Sequence, residues 1–162
     1  MATSGTALAG RYGRIEAQLV ELFGKYGEAA DLEARLATAV ALLHHKMPHF
    51  FWTGVYRVVG EDLVVGPYQG PLACAVLERG VGVCRAAVER RETVIVPDVH
   101  AFEGHIACDP RSRSEIVVPL IDESGTILGV LDVDSDRPDA FGPTDAEGLE
   151  RVVRTVLRPP SS

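Results

Sequence analysis

The stretch Glu115–Asp134, with the sequence EIVVPLIDESGTILGVLDVD, consists of two apolar, β-branched runs separated by a short polar segment. The polar segment, Asp122–Gly125, is typical of a tight turn, because glycine adopts turn conformations without steric cost. Two such runs on either side of a turn predict a pair of antiparallel strands, over Glu115–Ile121 and Thr126–Asp134.

Four further β-rich runs precede this pair along the chain. They cover Phe51–Val59, Leu63–Tyr68, Ala73–Leu77 and Val94–Val96. The first two are separated by the segment 60–62, Gly-Glu-Asp, which predicts a second hairpin. Together with the pair above, these runs predict a sheet of about six mostly antiparallel strands.

Apolar residues recur with helical spacing at both ends of the chain. The two N-terminal stripes are Ile15, Leu19, Leu22 and Phe23, and then Leu32, Leu36, Ala39, Val40 and Leu43. A C-terminal stripe follows Thr144 and Glu147, which have the spacing of a capping box. A short helix is also predicted to begin at Cys84. We therefore expect an α+β fold in one domain over 1–162, with N-terminal helices in 1–48, the sheet and its loops in 51–135, and a C-terminal helix in 144–158.

Composition excludes several classes of function. The chain has 162 residues, of which 46% are hydrophobic, and a net charge of −7 without a basic block. Nucleic-acid binding depends on Lys and Arg at phosphates, so a nucleic-acid partner is not expected. No apolar run is long enough to span a membrane, and the N-terminus lacks the apolar core of a secretion signal. We therefore expect a cytoplasmic protein that does not bind membranes.

The polar segment Asp98–Val117 is the best candidate for a functional loop. It lies between two β-branched runs and contains His100, His105 and Cys108, together with several charged residues. Long loops in compact domains are usually functional or disordered. The other two cysteines are Cys74 and Cys84. An odd number of cysteines without a secretion signal is not typical of a structural disulfide framework.

Seven motifs in order carry a resemblance to a known family. They are FWTGVY (51–56), GPYQG (66–70), GVGVC (80–84), VPDVH (96–100), GHIACD (104–109), SRSEIVVP (112–119) and GVLDVDS (129–135). This set resembles the free methionine-(R)-sulfoxide reductases, enzymes built on a GAF domain, which is a small-molecule-binding α+β module. The resemblance covers about residues 51–135 and implies a single GAF domain.

The resemblance implies reduction of free L-methionine (R)-sulfoxide to L-methionine, without a metal or cofactor. It assigns Cys108 as the attacking cysteine, Cys74 as the resolving cysteine, and Cys84 as a third thiol that has also been considered for attack. It further implies a redox-active disulfide reduced by thioredoxin, a homodimer, and a role in oxidative stress. In chemical terms, the cysteine becomes a sulfenic acid and then condenses with a nearby thiol.

Physical arguments leave the choice of nucleophile open. Cys84 is expected in the first turn of a helix, where the helix dipole lowers the pKa of a thiol. Cys108 is expected beside His105 and near Arg111 and Arg113, whose positive charge also stabilises a thiolate. Preference for Cys108 therefore comes from the resemblance alone.

The substrate pocket is also assigned by the resemblance. Trp52 and Tyr56 match its aromatic residues, and Glu115, Asp132 and Asp134 match its acids. Asp132 and Asp134 are two apart on a predicted strand and should share one face, where each raises the pKa of the other.

Glycine and arginine residues around Cys84 complete the expected pocket. Gly80 and Gly82 are candidates to present backbone amides to the substrate carboxylate. Arg85 departs from the family, which more often has glycine there, and so puts the surroundings of Cys84 in doubt.

Three alternative functions use the same residues. A zinc site could be formed by the three cysteines with His100 or His105, although no short chelating pair is present. A GAF module could bind a small ligand and signal without catalysis. A hydrolase could use Ser112 or Ser114 with one of these histidines, but the chain lacks a nucleophile elbow.

Overall fold

A five-stranded antiparallel sheet forms the centre of the computed structural model, which describes residues 4–105 and 108–158. The strands lie in the order β2-β1-β5-β4-β3. Their bounds are Trp52–Val59 (β1), Asp62–Gln69 (β2), Val94–Val96 (β3), Ser114–Ile121 (β4) and Ile127–Ser135 (β5). The predicted α+β class is confirmed, with five strands instead of about six.

The predicted hairpin over Glu115–Asp134 is present as β4 and β5. At its turn, the Asp122 carboxylate accepts hydrogen bonds from the backbone N–H groups of Ser124 (2.9 Å) and Thr126 (3.0 Å). Gly125 has a φ of 84°, which glycine adopts at little cost. Because β5 also pairs with β1, it lies at the middle of the sheet with a partner on each side.

The strand predicted at Ala73–Leu77 is wrong. This segment makes only one isolated bridge, between Val76 and Val64 of β2. The carbonyl oxygen of Cys74 instead accepts a hydrogen bond from the Tyr56 hydroxyl, at 3.0 Å. Two backbone hydrogen bonds accompany the bridge, from the Val65 N–H to the Ala75 carbonyl at 2.9 Å and from the Leu77 N–H to the Leu63 carbonyl at 3.0 Å, and among the described residues the pairing with β2 extends no further.

Four α-helices of the described part of the chain pack around the sheet. They span Gly5–Tyr26 (α1), Leu32–Lys46 (α2), Val83–Arg90 (α3) and Pro143–Leu157 (α4). None of these described helices is both long and apolar enough to cross a membrane.

The predicted start of α4 needs correction. The helix begins at Pro143, and the Asp145 carboxylate, not Glu147, accepts a hydrogen bond from the N–H of the preceding Gly142, at 2.9 Å. Proline suits a first helical position because the N–H it lacks would have no partner within the helix.

The two faces of the sheet pack against different elements. On one face, Val55, Ile116 and Leu131 belong to a core that includes the apolar sides of α1, α2 and α4. On the other face, Val117 and Val130 belong to a smaller cluster with residues of α3. Successive strand residues point to opposite faces of the sheet. Polar strand residues that alternate with members of the first core therefore lie on the face that α3 covers.

Candidate active site

A pocket lies over the α3 face of the sheet. The predicted site residues that line it are Trp52, Tyr56, Cys84, Cys108, Glu115, Asp132 and Asp134. Four acids line the pocket, the fourth being Asp109, and no Lys or Arg is found among its described lining residues. The sequence therefore identified most of the polar lining, and the pocket favours positively charged ligands.

Strand register brings the three predicted acids together. Asp134 of β5 pairs with Trp52 of β1 on one side and with Glu115 of β4 on the other. Asp132, two residues before Asp134, occupies the next row on the same face. The predicted sharing of one face by the two aspartates is thus confirmed.

Burial controls the protonation of these acids. It raises the pKa of Glu115 well above its ordinary value, and the charges of Asp132 and Asp134 raise it further. The pKa of Asp134 is also raised, first by burial and then by Asp132, although the Ser112 hydroxyl donates a hydrogen bond to it at 2.6 Å. Burial raises the pKa of Asp132 as well. The acids therefore hold protons more tightly than exposed carboxyls and can supply one to a bound ligand.

One oxygen of Asp132 lacks a hydrogen-bond partner. The residue is 6% exposed, and its Oδ1 atom is buried without a partner among the described residues. An unsatisfied buried carboxyl oxygen is costly, and in native structures it often marks a place where a ligand or water binds.

Cys74 and Cys108 form a disulfide. Their Cα atoms are 5.6 Å apart, and 34 positions separate them in sequence. Cys108 lines the pocket, whereas Cys74 is not among its lining residues. The two thiols that the resemblance paired are therefore close enough to be bonded.

Cys84 is a buried free thiol at the start of α3. Burial raises the pKa of this thiol well above its ordinary value, and the charges of Asp132, Glu115 and Asp134 raise it further. The expectation that the helix dipole makes Cys84 a ready thiolate is wrong, because desolvation and three acids outweigh one helix terminus.

Arg85 leaves the surroundings of Cys84 intact. Its guanidinium turns toward the β1–β2 hairpin, where Nη2 donates a hydrogen bond to the Glu61 carbonyl at 2.9 Å. Arg85 is not among the residues that line the pocket. Of the two expected glycines, Gly82 lines the pocket and Gly80 does not.

The aromatic stack extends beyond the pocket lining, to Tyr68. The Trp52 ring stacks on Tyr56 at 5.8 Å and on Tyr68 at 5.5 Å, measured between ring centroids. Its indole N–H donates a hydrogen bond to the Pro71 carbonyl at 3.1 Å. Gly54 makes room for this stack, since a Cβ atom there would collide with the Trp52 and Tyr68 side chains. The signal was available: Gly54 lies midway between Trp52 and Tyr56 on the same strand face.

His105 is the histidine of the loop that reaches the pocket. Its Nε2 atom lies 3.6 Å from Oε2 of Glu115. Burial, and secondarily His100, lower the pKa of His105, so the ring is neutral near neutral pH. Ile106 and Ala107 of the GHIACD motif lie outside the described residues.

Arg111 does not act as a free cation beside Cys108. Its guanidinium pairs with the Asp109 carboxylate at 2.8 Å and lies over the Phe51 ring, 4.9 Å from its centroid. Hydrogen bonds from the side chain and the backbone N–H of Arg111 lower the pKa of Asp109 to about 2. The predicted stabilisation of a Cys108 thiolate by Arg111 is therefore offset by a partner carboxylate.

Two of the alternative sites are not assembled. A zinc site of three cysteines is excluded in this state, because the sulfurs of Cys74 and Cys108 are bonded to each other. The hydroxyl of Ser112 donates to Asp134, and that of Ser114 donates to the Arg137 carbonyl. Neither serine is thus placed as a nucleophile with a histidine base.

Comparison with known proteins agrees with this geometry. A family model for the GAF domain matches residues 31–156. GAF domain-containing protein A of Dictyostelium discoideum is 47% identical over 124 residues, which are 76% of this chain and 77% of that protein. Free methionine-R-sulfoxide reductase of Escherichia coli is 44% identical over 127 residues, which are 78% of this chain and 76% of that protein.

A solved structure extends the likeness to three dimensions. The X-ray structure of free methionine-R-sulfoxide reductase from Neisseria meningitidis in complex with its substrate superposes with a TM-score of 0.82 and 37% identity. The match covers 96% of this chain and 89% of that one. With a shared domain, fold and sequence, the chain belongs to the GAF-domain family of the free methionine-R-sulfoxide reductases.

Proposed function

We propose that this protein reduces free L-methionine (R)-sulfoxide to L-methionine. The observation that carries the proposal is a single pocket that joins an aromatic wall, three proton-holding acids and a cysteine bonded to a second cysteine. Relatives from Escherichia coli and Neisseria meningitidis carry the name of this activity.

The shape and charge of the pocket suit this substrate. The ammonium group of the substrate would be attracted by Glu115, Asp132 and Asp134, which have no Lys or Arg beside them in the described lining. Its S-methyl group would pack against the rings of Trp52 and Tyr56. The backbone amide of Gly82 is the candidate donor to its carboxylate.

The proposed reduction of the sulfoxide has three steps. The Cys108 sulfur attacks the sulfoxide sulfur while Glu115, with Asp132 and Asp134, supplies a proton to the sulfoxide oxygen. The oxygen leaves with Cys108 as a sulfenic acid, and methionine departs reduced by two electrons. The Cys74 thiol then displaces water from the sulfenic acid and forms the disulfide. A thioredoxin dithiol returns two electrons and two protons, which restores both thiols.

Local electrostatics support the proposal of Cys108 over Cys84 as the attacking thiol. Cys84 lies among acids that oppose its ionisation, and thiolates are the nucleophilic form. Cys84 does reach the acids, however, because its sulfur lies within 4.8 Å of carboxyl oxygens of Glu115 and Asp132. A reduced Cys108→Ser enzyme should release no methionine. Release of one methionine per chain would assign the attack to Cys84.

Substrate identity is tested with the two sulfoxide epimers. Reduced enzyme is incubated with free and peptide-bound forms of each epimer, and methionine is measured. Turnover of the free R epimer alone is expected. Equal turnover of the S epimer or of peptide-bound sulfoxide would refute the substrate, and binding without turnover would favour a non-catalytic GAF module.

The cellular setting is part of the same proposal. A redox-active pair fits the cytoplasm, where protein disulfides are usually transient and catalytic. Thioredoxin is the proposed reductant, and protection against oxidative stress is the proposed role.

We also propose a homodimer formed through the N-terminal helices, where Val20 and Tyr26 of α1 expose apolar surface. Sedimentation analysis would detect it.

A further inference from the structure

Three potential metal ligands meet in the lining of the pocket. The sulfur of Cys84 and one carboxyl oxygen each of Glu115 and Asp132 lie within 4.8 Å of one another, and all three residues are buried. Thiolate and carboxylate are both ligands of Zn²⁺, and a mixed set selects a borderline-soft ion over Mg²⁺ or Ca²⁺.

A second observation points to a missing ligand at the same place. Oδ1 of Asp132 is buried without a hydrogen-bond partner among the described residues. The residue as a whole is 6% exposed. The described lining contains no Lys or Arg that could neutralise the acids. A cation entering the pocket would satisfy both the orphaned oxygen and the charge.

A fourth ligand is within reach. Nε2 of His105 lies 3.6 Å from Oε2 of Glu115, and His105 lines the same pocket. One sulfur, two oxygens and one nitrogen make a four-coordinate set of the kind that zinc accepts. Metal–ligand bonds of about 2.0–2.3 Å require the side chains to close in by roughly an ångström.

We propose that Cys84, Asp132 and Glu115, with His105, form a binding site for a thiophilic divalent cation of the Zn²⁺ class. Binding converts the Cys84 thiol to a metal thiolate and releases its proton to solvent, together with the protons that Glu115 and Asp132 hold in the metal-free protein. The ion occupies the polar end of the pocket, so it excludes any amine or sulfoxide ligand from that end. This site does not depend on the proposed reaction, because neither Cys74 nor Cys108 takes part.

The disulfide form of the protein provides a selective test. With Cys74 and Cys108 bonded, Cys84 is the one remaining thiol of the three. Co²⁺ is therefore titrated into oxidised, metal-free protein, and thiolate-to-cobalt charge-transfer absorption is recorded. We expect the band to saturate at one equivalent and to disappear when Zn²⁺ is added. Cobalt binding without this band would overturn the proposal, and so would the absence of binding. The test uses the wild-type chain and therefore does not depend on the folding of any variant.

Matched variants then identify the ligands. Cys84→Ser should abolish the band, and Asp132→Asn should weaken cobalt binding at least tenfold while keeping the band. Asp109→Asn is the control, because Asp109 lines the same pocket but pairs with Arg111. Equal affinities for Asp132→Asn and Asp109→Asn would show general charge attraction and would overturn the site. Circular dichroism verifies the fold of each variant.

Discussion

Glu115 lies directly opposite Asp134 in the ladder between β4 and β5, so two carboxyl groups occupy neighbouring places on one sheet face. Two ionised acids in that position would repel each other in a poorly solvated pocket. The pair is therefore stable when it shares a proton, and the fold itself maintains a proton source at the floor of the site.

Replacing Glu115 with Gln should remove most of the activity. The amide keeps the shape of the side chain but cannot donate a carboxyl proton, so kcat should fall by about 10²–10⁴-fold, the usual contribution of a general acid. Stability should not fall, since an uncharged group replaces an acid that is costly to ionise. Steady-state kinetics with saturating reductant measures the change. Glu89→Gln, at an exposed position of α3 outside the pocket lining, serves as the control, and an equal loss of kcat there would contradict a specific role for Glu115.

Cys84 should resist alkylation in the native protein. The residue is 4% exposed, and the raised pKa of its thiol leaves little thiolate at neutral pH. Iodoacetamide should label one cysteine in oxidised protein only after denaturation, and three after reduction and denaturation. Mass spectrometry counts the labels. Rapid labelling of Cys84 in the folded, oxidised protein would contradict its described burial.

Adding a methyl group at Gly54 should damage the aromatic wall. A Cβ atom there would meet Trp52 and Tyr68, so Gly54→Ala should cost about 1–3 kcal/mol of unfolding free energy and raise KM. Gly13→Ala is the control, because a Cβ in that helical position would touch nothing within 4 Å. The control should gain about 0.5–1 kcal/mol. Urea denaturation of both variants compares them, and equal effects would show that the wall is loosely packed.

His44 should make the protein less stable in mild acid. Its Nδ1 atom lies 3.0 Å from the hydroxyl of the fully buried Thr53, and burial lowers the pKa of the ring. The unfolded chain therefore binds a proton more readily than the folded one. The stabilisation is present above the unfolded pKa of about 6.5 and is lost as the pH falls through that value toward the folded pKa.

The measurement is the free energy of unfolding as a function of pH. His44→Gln should flatten the loss of stability between about pH 8 and pH 5. His45→Gln should leave the pH dependence unchanged, since His45 is exposed on the outer side of α2. Equal slopes for wild type and His44→Gln would exclude the effect.

The sequence predicted those features that depend on local pattern. The hairpin at β4 and β5, the shared face of Asp132 and Asp134, and the helices all follow from periodicity and turn residues. The identity of the paired cysteines came from the family resemblance. Periodicity cannot supply that pairing, because it depends on how loops far apart in sequence meet.

The errors arose where tertiary contacts override local preference. Ala73–Leu77 has the composition of a strand, but it contains the disulfide-bonded Cys74 and pairs with β2 through one bridge at Val76. Cys84 has the position of an activated thiol, but acids from β4 and β5 surround it. Arg111 is predicted from the sequence to stabilise a Cys108 thiolate, but in the structure its guanidinium forms an ion pair with Asp109.

The Cys74–Cys108 bond closes a covalent ring of the chain that contains α3, β3 and Cys84. A ring with a sequence separation of 34 restricts the unfolded chain by an amount worth about 3–4 kcal/mol. In the proposed reaction, each turnover would therefore alternate the protein between a more stable disulfide form and a less stable dithiol form. The melting temperature would then report the fraction of protein in the disulfide form, which depends on the rate of reduction relative to the supply of substrate.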